Sequence, residues 1–326
     1  MSIINTITGE GLERLAKASP AGRIVKRIEV EKALQTVGTD AYAMAKLRLG
    51  PRTEGFLMAR PDAAATILAP HGFTAWALQY KDLGKKLVDN GFNFYAPRLP
   101  GHGFMTRDGM LTGERMIQST DRAAYTRWLD LRYKEAASLG KPVYLLGQSG
   151  GSDLALAGAE RYGVEKTFAM VPFLGPDQPL KHVTDALVFL DKLTFGLVGR
   201  IMDLIPRNKN TLADAADLTP HTNRSFGSAL AMGLEGRNVQ AISGRLQIVT
   251  TEGDKAAGKA QVQDLLARIG DGPTRGWYHF PASEHVPHAM VSDLENPNTP
   301  AVRRLEDMAV AFFKDGTLVQ QRPPTV

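Results

Sequence analysis

Ser149 stands at the centre of Gly147-Gln148-Ser149-Gly150-Gly151, a GxSxG pattern in which a serine occupies a sharp strand-to-helix turn. A serine hydroxyl is a poor nucleophile at neutral pH. It becomes reactive when a histidine within hydrogen-bond reach takes its proton and a carboxylate orients that histidine. The pentapeptide alone carries limited weight, because a chain with 32 glycines offers many chances for such a match. Its setting carries more: the apolar run Val143 to Leu146 precedes it and the helical stretch Asp153 to Tyr162 follows. A serine in that turn is pushed out at a helix N-terminus, where backbone N–H groups face incoming negative charge.

The base and the acid are expected at the ends of later strands, where open α/β sheets gather their sites. His285 follows the apolar run Gly276 to Phe280, and Asp254 follows Leu246 to Thr250. His288 as base and Glu252 as acid are close rivals, because loop geometry decides between neighbours. His285 and His288 as a metal pair fit less well: Pro287 between them disfavours a regular helix, and no third ligand is evident. Hydrolysis also needs donors for a tetrahedral oxyanion, one of them the amide after the nucleophile. Gly150 supplies that amide; the other is expected from Phe73, in Pro70-His71-Gly72-Phe73 after the strand Ala65 to Ala69.

These residues need a scaffold of parallel strands joined by crossover helices. From about residue 65, short apolar runs alternate with helix-length amphipathic stretches, which is the α/β pattern. Strands are expected at Ala65 to Ala69, Phe92 to Ala96, Val143 to Leu146, Thr167 to Val171, Leu246 to Thr250 and Gly276 to Phe280. Helices are expected at Trp76 to Asn90, Thr112 to Ser138, Asp153 to Tyr162, Lys259 to Ile269 and Ala301 to Lys314. Upstream, Ile24 to Val30, Tyr42 to Leu49 and Gly55 to Arg60 read as further strands, the last two joined as a hairpin. The tail Gln320 to Val326 reads as disordered.

The interval Phe173 to Ser243 is too long for a simple crossover. Val183, Leu187, Leu190, Leu197, Ile201 and Leu204 recur there at near-helical spacing. Residues 173–243 are therefore expected to form a helical cap over an α/β core of residues 1–172 and 244–326; ordinary core helices would give the same periodicity. Phe173, Leu187 and Leu190, with Phe73, are the candidate lining of an apolar substrate pocket.

The 326 residues carry a formal net charge of +5 spread along the chain, with Lys85-Lys86 the only adjacent lysine pair, which argues against nucleic acid as a partner. There is no cysteine, which removes disulfides, thiolate zinc sites and cysteine nucleophiles. The N-terminus lacks the basic and apolar regions of a secretory signal, so the expectation is cytoplasmic. No apolar run is long enough to span a bilayer, while peripheral membrane contact stays open. Monomer and homodimer are not distinguished.

With His71-Gly72-Phe73, Leu99-Pro100-Gly101-His102-Gly103, the GQSGG elbow, Asp254 and His285 in place, the chain from about residue 53 onward resembles the α/β-hydrolase superfamily, and within it the monoacylglycerol-lipase and carboxylesterase-like serine hydrolases. The resemblance implies a mostly parallel eight-stranded sheet flanked by helices, with a cap inserted after the sixth strand. It also implies cofactor-free transfer of an acyl group from a small-molecule ester to water, by Ser149, His285 and Asp254. Short-to-medium acyl esters or monoglycerides are the expected substrates. Thioesterase, lactonase, peptidase and carbon–carbon bond hydrolase chemistry use the same triad, and a ligand receptor on the same fold would need none of it. His102 is expected to shape the pocket floor. Gly150 stands where many relatives carry methionine, and Thr251 where many carry glycine. Residues 1–50 form an N-terminal extension that the resemblance leaves uncovered.

Overall fold

The computed structural model describes residues 24–28, 48–49, 55–73, 75–105, 123–174, 226–252, 254, 258–291 and 299–323. Ten strands are described: β1 (Ile24–Ile28), β2 (Arg48–Leu49), β3 (Gly55–Met58), β4 (Ala65–Leu68), β5 (Phe92–Ala96), β6 (Phe104–Met105), β7 (Val143–Gln148), β8 (Lys166–Met170), β9 (Arg245–Thr251) and β10 (Arg275–Phe280). Eight form one sheet in the order β1-β3-β5-β4-β7-β8-β9-β10. The pairs from β5 to β10 are parallel, whereas β3 runs antiparallel to both β1 and β5. Six helices accompany them: α1 (Lys81–Asp89), α2 (Ala123–Ala137), α3 (Gly150–Tyr162), α4 (Phe226–Arg237), α5 (Lys259–Ile269) and α6 (Thr299–Asp315).

Strands β3, β4, β5, β7, β8 and β10 are buried along their length because helices cover both sides of the sheet. In β5, Phe92, Phe94 and Ala96 enter the core shared with α1 and α6, where they meet Leu83, Leu87, Leu305 and Phe312. Tyr95 points the other way, into the core that includes Trp128 of α2, Leu154 of α3 and Leu265 of α5. Each fully buried phenylalanine or leucine contributes about 1.5–3 kcal/mol relative to exposure, so this two-sided alternation fixes the register of the strands.

Two expectations are corrected. The upstream hairpin does not form: β3 pairs with β1 and β5, while the two residues of β2 pair with β6 in a separate small sheet. A four-residue segment between apolar runs is compatible with a hairpin, but β3 is buried along its length and satisfies both edges within the large sheet. The tail is not loose up to residue 323 either. Gln321 accepts from His279 N–H at 2.8 Å and donates to the Trp277 carbonyl at 2.9 Å, which covers the outer edge of β10. Arg322 adds two hydrogen bonds to Asp271 at 2.6 and 2.7 Å.

The first part of the expected helix Thr112 to Ser138 lies outside the described residues, as do residues 175–225 of the expected cap, Leu187 and Leu190 among them. The described end of that interval, α4, packs on α3, with Ala231 and Met232 buried in the core that also holds Leu154 and Leu265. No helix among the described residues is long and apolar enough to cross a membrane.

Candidate active site

The turn that carries Ser149 joins β7 to α3. Ser149 has φ 55° and ψ −131°, a conformation that disfavours every residue with a side chain, and its N–H is held by the Met170 carbonyl of β8 at 2.8 Å. The flanking glycines are required by contact. A Cβ on Gly147 would lie 2.3 Å from the Gly151 carbonyl oxygen, and one on Gly151 would lie 2.1 Å from the Pro70 carbonyl oxygen. The second distance also shows why the loop after β4 can lie against the turn at all. Ser149 is 9% exposed, at the N-terminus of a thirteen-residue helix.

The loop after β4 brings Phe73 beside Gly150: the Cβ position of Gly150 is 3.5 Å from Phe73 Cβ. Two buried histidines hold that loop. Leu99 N–H donates to His71 Nε2 at 3.0 Å, so His71 carries its proton on Nδ1 and donates it to the Gly72 carbonyl at 2.9 Å. That carbonyl and the Phe73 N–H belong to one planar peptide, so fixing one aims the other. His102 Nε2 lies 2.5 Å from the Phe73 carbonyl and Nδ1 lies 2.9 Å from that of Pro100. Burial pushes the His102 pKa down to about 4, against the pull of these two carbonyls, which favour the protonated ring.

On the acid side, Asp254 turns back from the end of β9, its N–H donating to the Thr251 carbonyl at 3.2 Å. Its carboxylate is 1% exposed and pairs with His288 Nδ1 at 2.6 Å. The expected partner was His285, and here the structure corrects the sequence reading. After Phe280 the chain makes a short 3-10 turn, Ala282–Glu284, and His285 then adopts a left-handed conformation with φ 49°. This reversal leaves His285 exposed, buries Val286 and carries the chain on until His288 meets the carboxylate. Glu252, the rival acid, is engaged elsewhere. It accepts from Lys259 at 2.8 Å and lies 2.7 Å from His279 Nε2, and these two partners hold its carboxyl below the usual range.

The His288 segment adjoins the Ser149 turn: Gln148, the residue before Ser149, donates from Nε2 to the His288 carbonyl at 3.1 Å. Thr251, at the end of β9, donates from Oγ1 to the Val286 carbonyl at 2.8 Å. Met232 of α4 is a further residue that sequence reasoning missed. Its Sδ lies 2.2 Å from the Cβ position of Gly150, so a side chain from another helix fills the space in which residue 150 has none. Phe173, expected in the pocket lining, follows β8 and abuts α4 at Gly233, whose Cβ position is 2.8 Å from the Phe173 carbonyl oxygen. No sequence signal could have found Met232, because the contact joins helices whose order in space the sequence does not state.

Comparison with known proteins places these features in context. A family model described as "Alpha/beta hydrolase family" matches residues 67–296, more than half of the chain. No curated protein sequence matches. Among solved structures, a soluble variant of monoglyceride lipase from Saccharomyces cerevisiae superimposes with a TM-score of 0.61 at 12% identity, covering 84% of this chain and 95% of its own. One of the metagenome-derived lipolytic enzymes LipS and LipT gives 0.58 at 15% identity, with 82% and 99% covered. The monoacylglycerol lipase of Paleococcus ferrophilus gives 0.52 at 16% identity, with 77% and 95% covered. At these identities the likeness is one of fold.

Proposed function

Because the chain belongs to the alpha/beta hydrolase family, we propose that it is a serine hydrolase that cleaves carboxylic esters, with Ser149 as nucleophile, His288 as base and Asp254 as the orienting acid. The observation that carries this reading is the 2.6 Å bond between a nearly buried Asp254 and His288, on a segment bonded to the residue beside a strained Ser149. His288 replaces His285 in the role the sequence favoured.

Asp254 engages Nδ1 of His288, leaving Nε2 to take the Ser149 proton as Oγ attacks the ester carbonyl. The amides of Phe73 and Gly150 receive the developing oxyanion, and the N-terminus of α3 adds a favourable dipole. His288 then returns the proton to the departing alcohol, which leaves an acyl group on Ser149. Water activated by the same imidazole releases the acid. Asp254 stabilises the imidazolium in both halves of the cycle.

Short-to-medium acyl esters or monoglycerides are the proposed substrates. Met232 and Phe73 set an apolar wall beside the nucleophile, and structures of similar fold carry the names monoglyceride lipase and lipolytic enzyme. A panel of p-nitrophenyl esters of increasing chain length, read beside labelling with a fluorophosphonate probe, tests the proposal. The wild-type protein should turn over esters and be labelled at Ser149. Ser149→Ala and His288→Ala should each lose at least about 10³-fold in kcat/KM, whereas His285→Ala should stay within a few-fold. Turnover that survives Ser149→Ala, or that falls with His285→Ala and not with His288→Ala, would sink the assignment.

A further inference from the structure

The base sits on a segment without regular structure. After the short 3-10 turn at Ala282–Glu284 no helix or strand resumes before residue 291, so the sheet ladder does not fix the backbone around His288. The Asp254 bond restrains the imidazole, but a single contact to a rotatable side chain leaves the distance from ring to nucleophile open. Two side-chain bonds supply that restraint. Thr251 grips the Val286 carbonyl at 2.8 Å, and Gln148 grips the His288 carbonyl at 3.1 Å. Both donor side chains are buried, at 2% and 3% exposure, which shields the donors from bulk water.

Their origins matter as much as their strength. Thr251 ends β9, the strand that carries Asp254, and Gln148 ends β7 beside Ser149. The base segment is thus fastened once to the acid's strand and once to the nucleophile's. Gln148 also leaves its Oε1 buried without a hydrogen-bond partner, a cost that a purely structural role at this position would not require. Methionine or leucine would fill the same volume with no orphaned oxygen. What those residues lack is the N–H group that reaches His288.

We propose that Gln148 and Thr251 are positioning residues that hold His288 at its working distance from Ser149 through its backbone. The inference rests on the reading of His288 as base. A displacement of about 1 Å in a catalytic group costs on the order of 10²-fold in rate, so loss of either tether should act on the chemical step and spare binding.

The test uses Thr251→Val and Gln148→Met, which keep volume and remove the donor, with Thr251→Ser as the conservative rescue and Thr251→Ala as a second deletion should valine misfold. Active sites are counted with a fluorophosphonate, and kcat and KM are measured per site on p-nitrophenyl acetate. Each deletion should lower kcat by about 10–100-fold with KM within twofold, Thr251→Ser should recover to within threefold, and the double variant should lose less than the product of the singles because both act on one segment. A purely structural role would reduce the number of competent sites and leave kcat per site unchanged. Such a result, or a serine variant as slow as valine, overturns the proposal. His288→Ala separates the two layers: if it remains active, the base assignment has failed; if it is dead while the tether variants turn over normally, only the tethering has failed.

Discussion

His102 and Asp153 tilt the pH dependence of folding in opposite directions, and removing either one exposes the other. His102 is fully buried against the Phe73 loop, and burial pushes its pKa down from 6.5 to about 4. Between those values the unfolded chain binds a proton that the folded ring refuses, so stability falls as pH falls, by about 1.4 kcal/mol per pH unit. Asp153 is fully buried in α3 beside Gly236 of α4, with neither carboxyl oxygen hydrogen-bonded. Burial holds its carboxyl well above 3.8; Arg237 opposes the shift and Glu235 adds to it. Here the unfolded chain gives up a proton that the folded state keeps, so stability falls as pH rises above 3.8. Above about pH 4 the two slopes therefore oppose each other. Asp153→Asn leaves the histidine slope alone: relative to wild type, the variant should gain stability as pH rises above 4.5. His102→Asn should lose roughly 2–3 kcal/mol relative to wild type between pH 4.5 and 6.5, the window between the histidine's folded value of about 4 and its ordinary 6.5. Urea unfolding followed by the fluorescence of the three tryptophans at pH 4.5, 5.5 and 6.5 measures these differences, in which every other titrating group drops out. A difference between His102→Asn and wild type that moves by less than 1 kcal/mol across this range, or an Asp153→Asn difference that moves the opposite way, would refute the reasoning.

Gly151→Ala should fail to fold or lose all turnover, because its Cβ would fall 2.1 Å from a backbone oxygen at Pro70 and neither strand end can retreat without moving the oxyanion loop; soluble yield and residual esterase activity report it. Gly150→Ala should be milder, since its Cβ meets the flexible Met232 Sδ at 2.2 Å. Ester turnover should fall several-fold in that variant and recover when Met232→Ala is added, whereas a double variant slower than Gly150→Ala alone would show that Met232 is not the obstacle.

Much of the scaffold was legible because local chemistry dictates it. Phe92 to Ala96 and Lys259 to Ile269 match their elements at both ends, the first bounded by Gly91 and Pro97, the second closed by Gly270. The nucleophile turn was equally legible: its two glycines are imposed by contacts at 2.3 and 2.1 Å, so the pattern in the sequence is the imprint of a steric requirement. The tail was not legible. Gln321 completes the edge of β10 with its backbone, and backbone pairing leaves no mark on residue type when the side chains face solvent. The separation of β2 from β3 was hidden for a related reason: both candidate partners of a two-residue strand look alike until the large sheet has claimed one of them.

The histidine shows where such reading stops. Ser149 is the first residue after β7, Asp254 the third after β9 and His288 the eighth after β10. Each added residue beyond the last ladder bond brings two further backbone torsions, so the strand's authority over position decays along that series. Ser149 is placed by the turn itself, and Asp254 by a turn hydrogen bond to Thr251. For His288 the strand end says only which edge of the sheet to search. A left-handed residue, a buried valine and the hydroxyl and amide of Thr251 and Gln148 do the placing. Those two side chains lie 37 and 140 residues away in sequence, and no local pattern could have chosen His288 over His285.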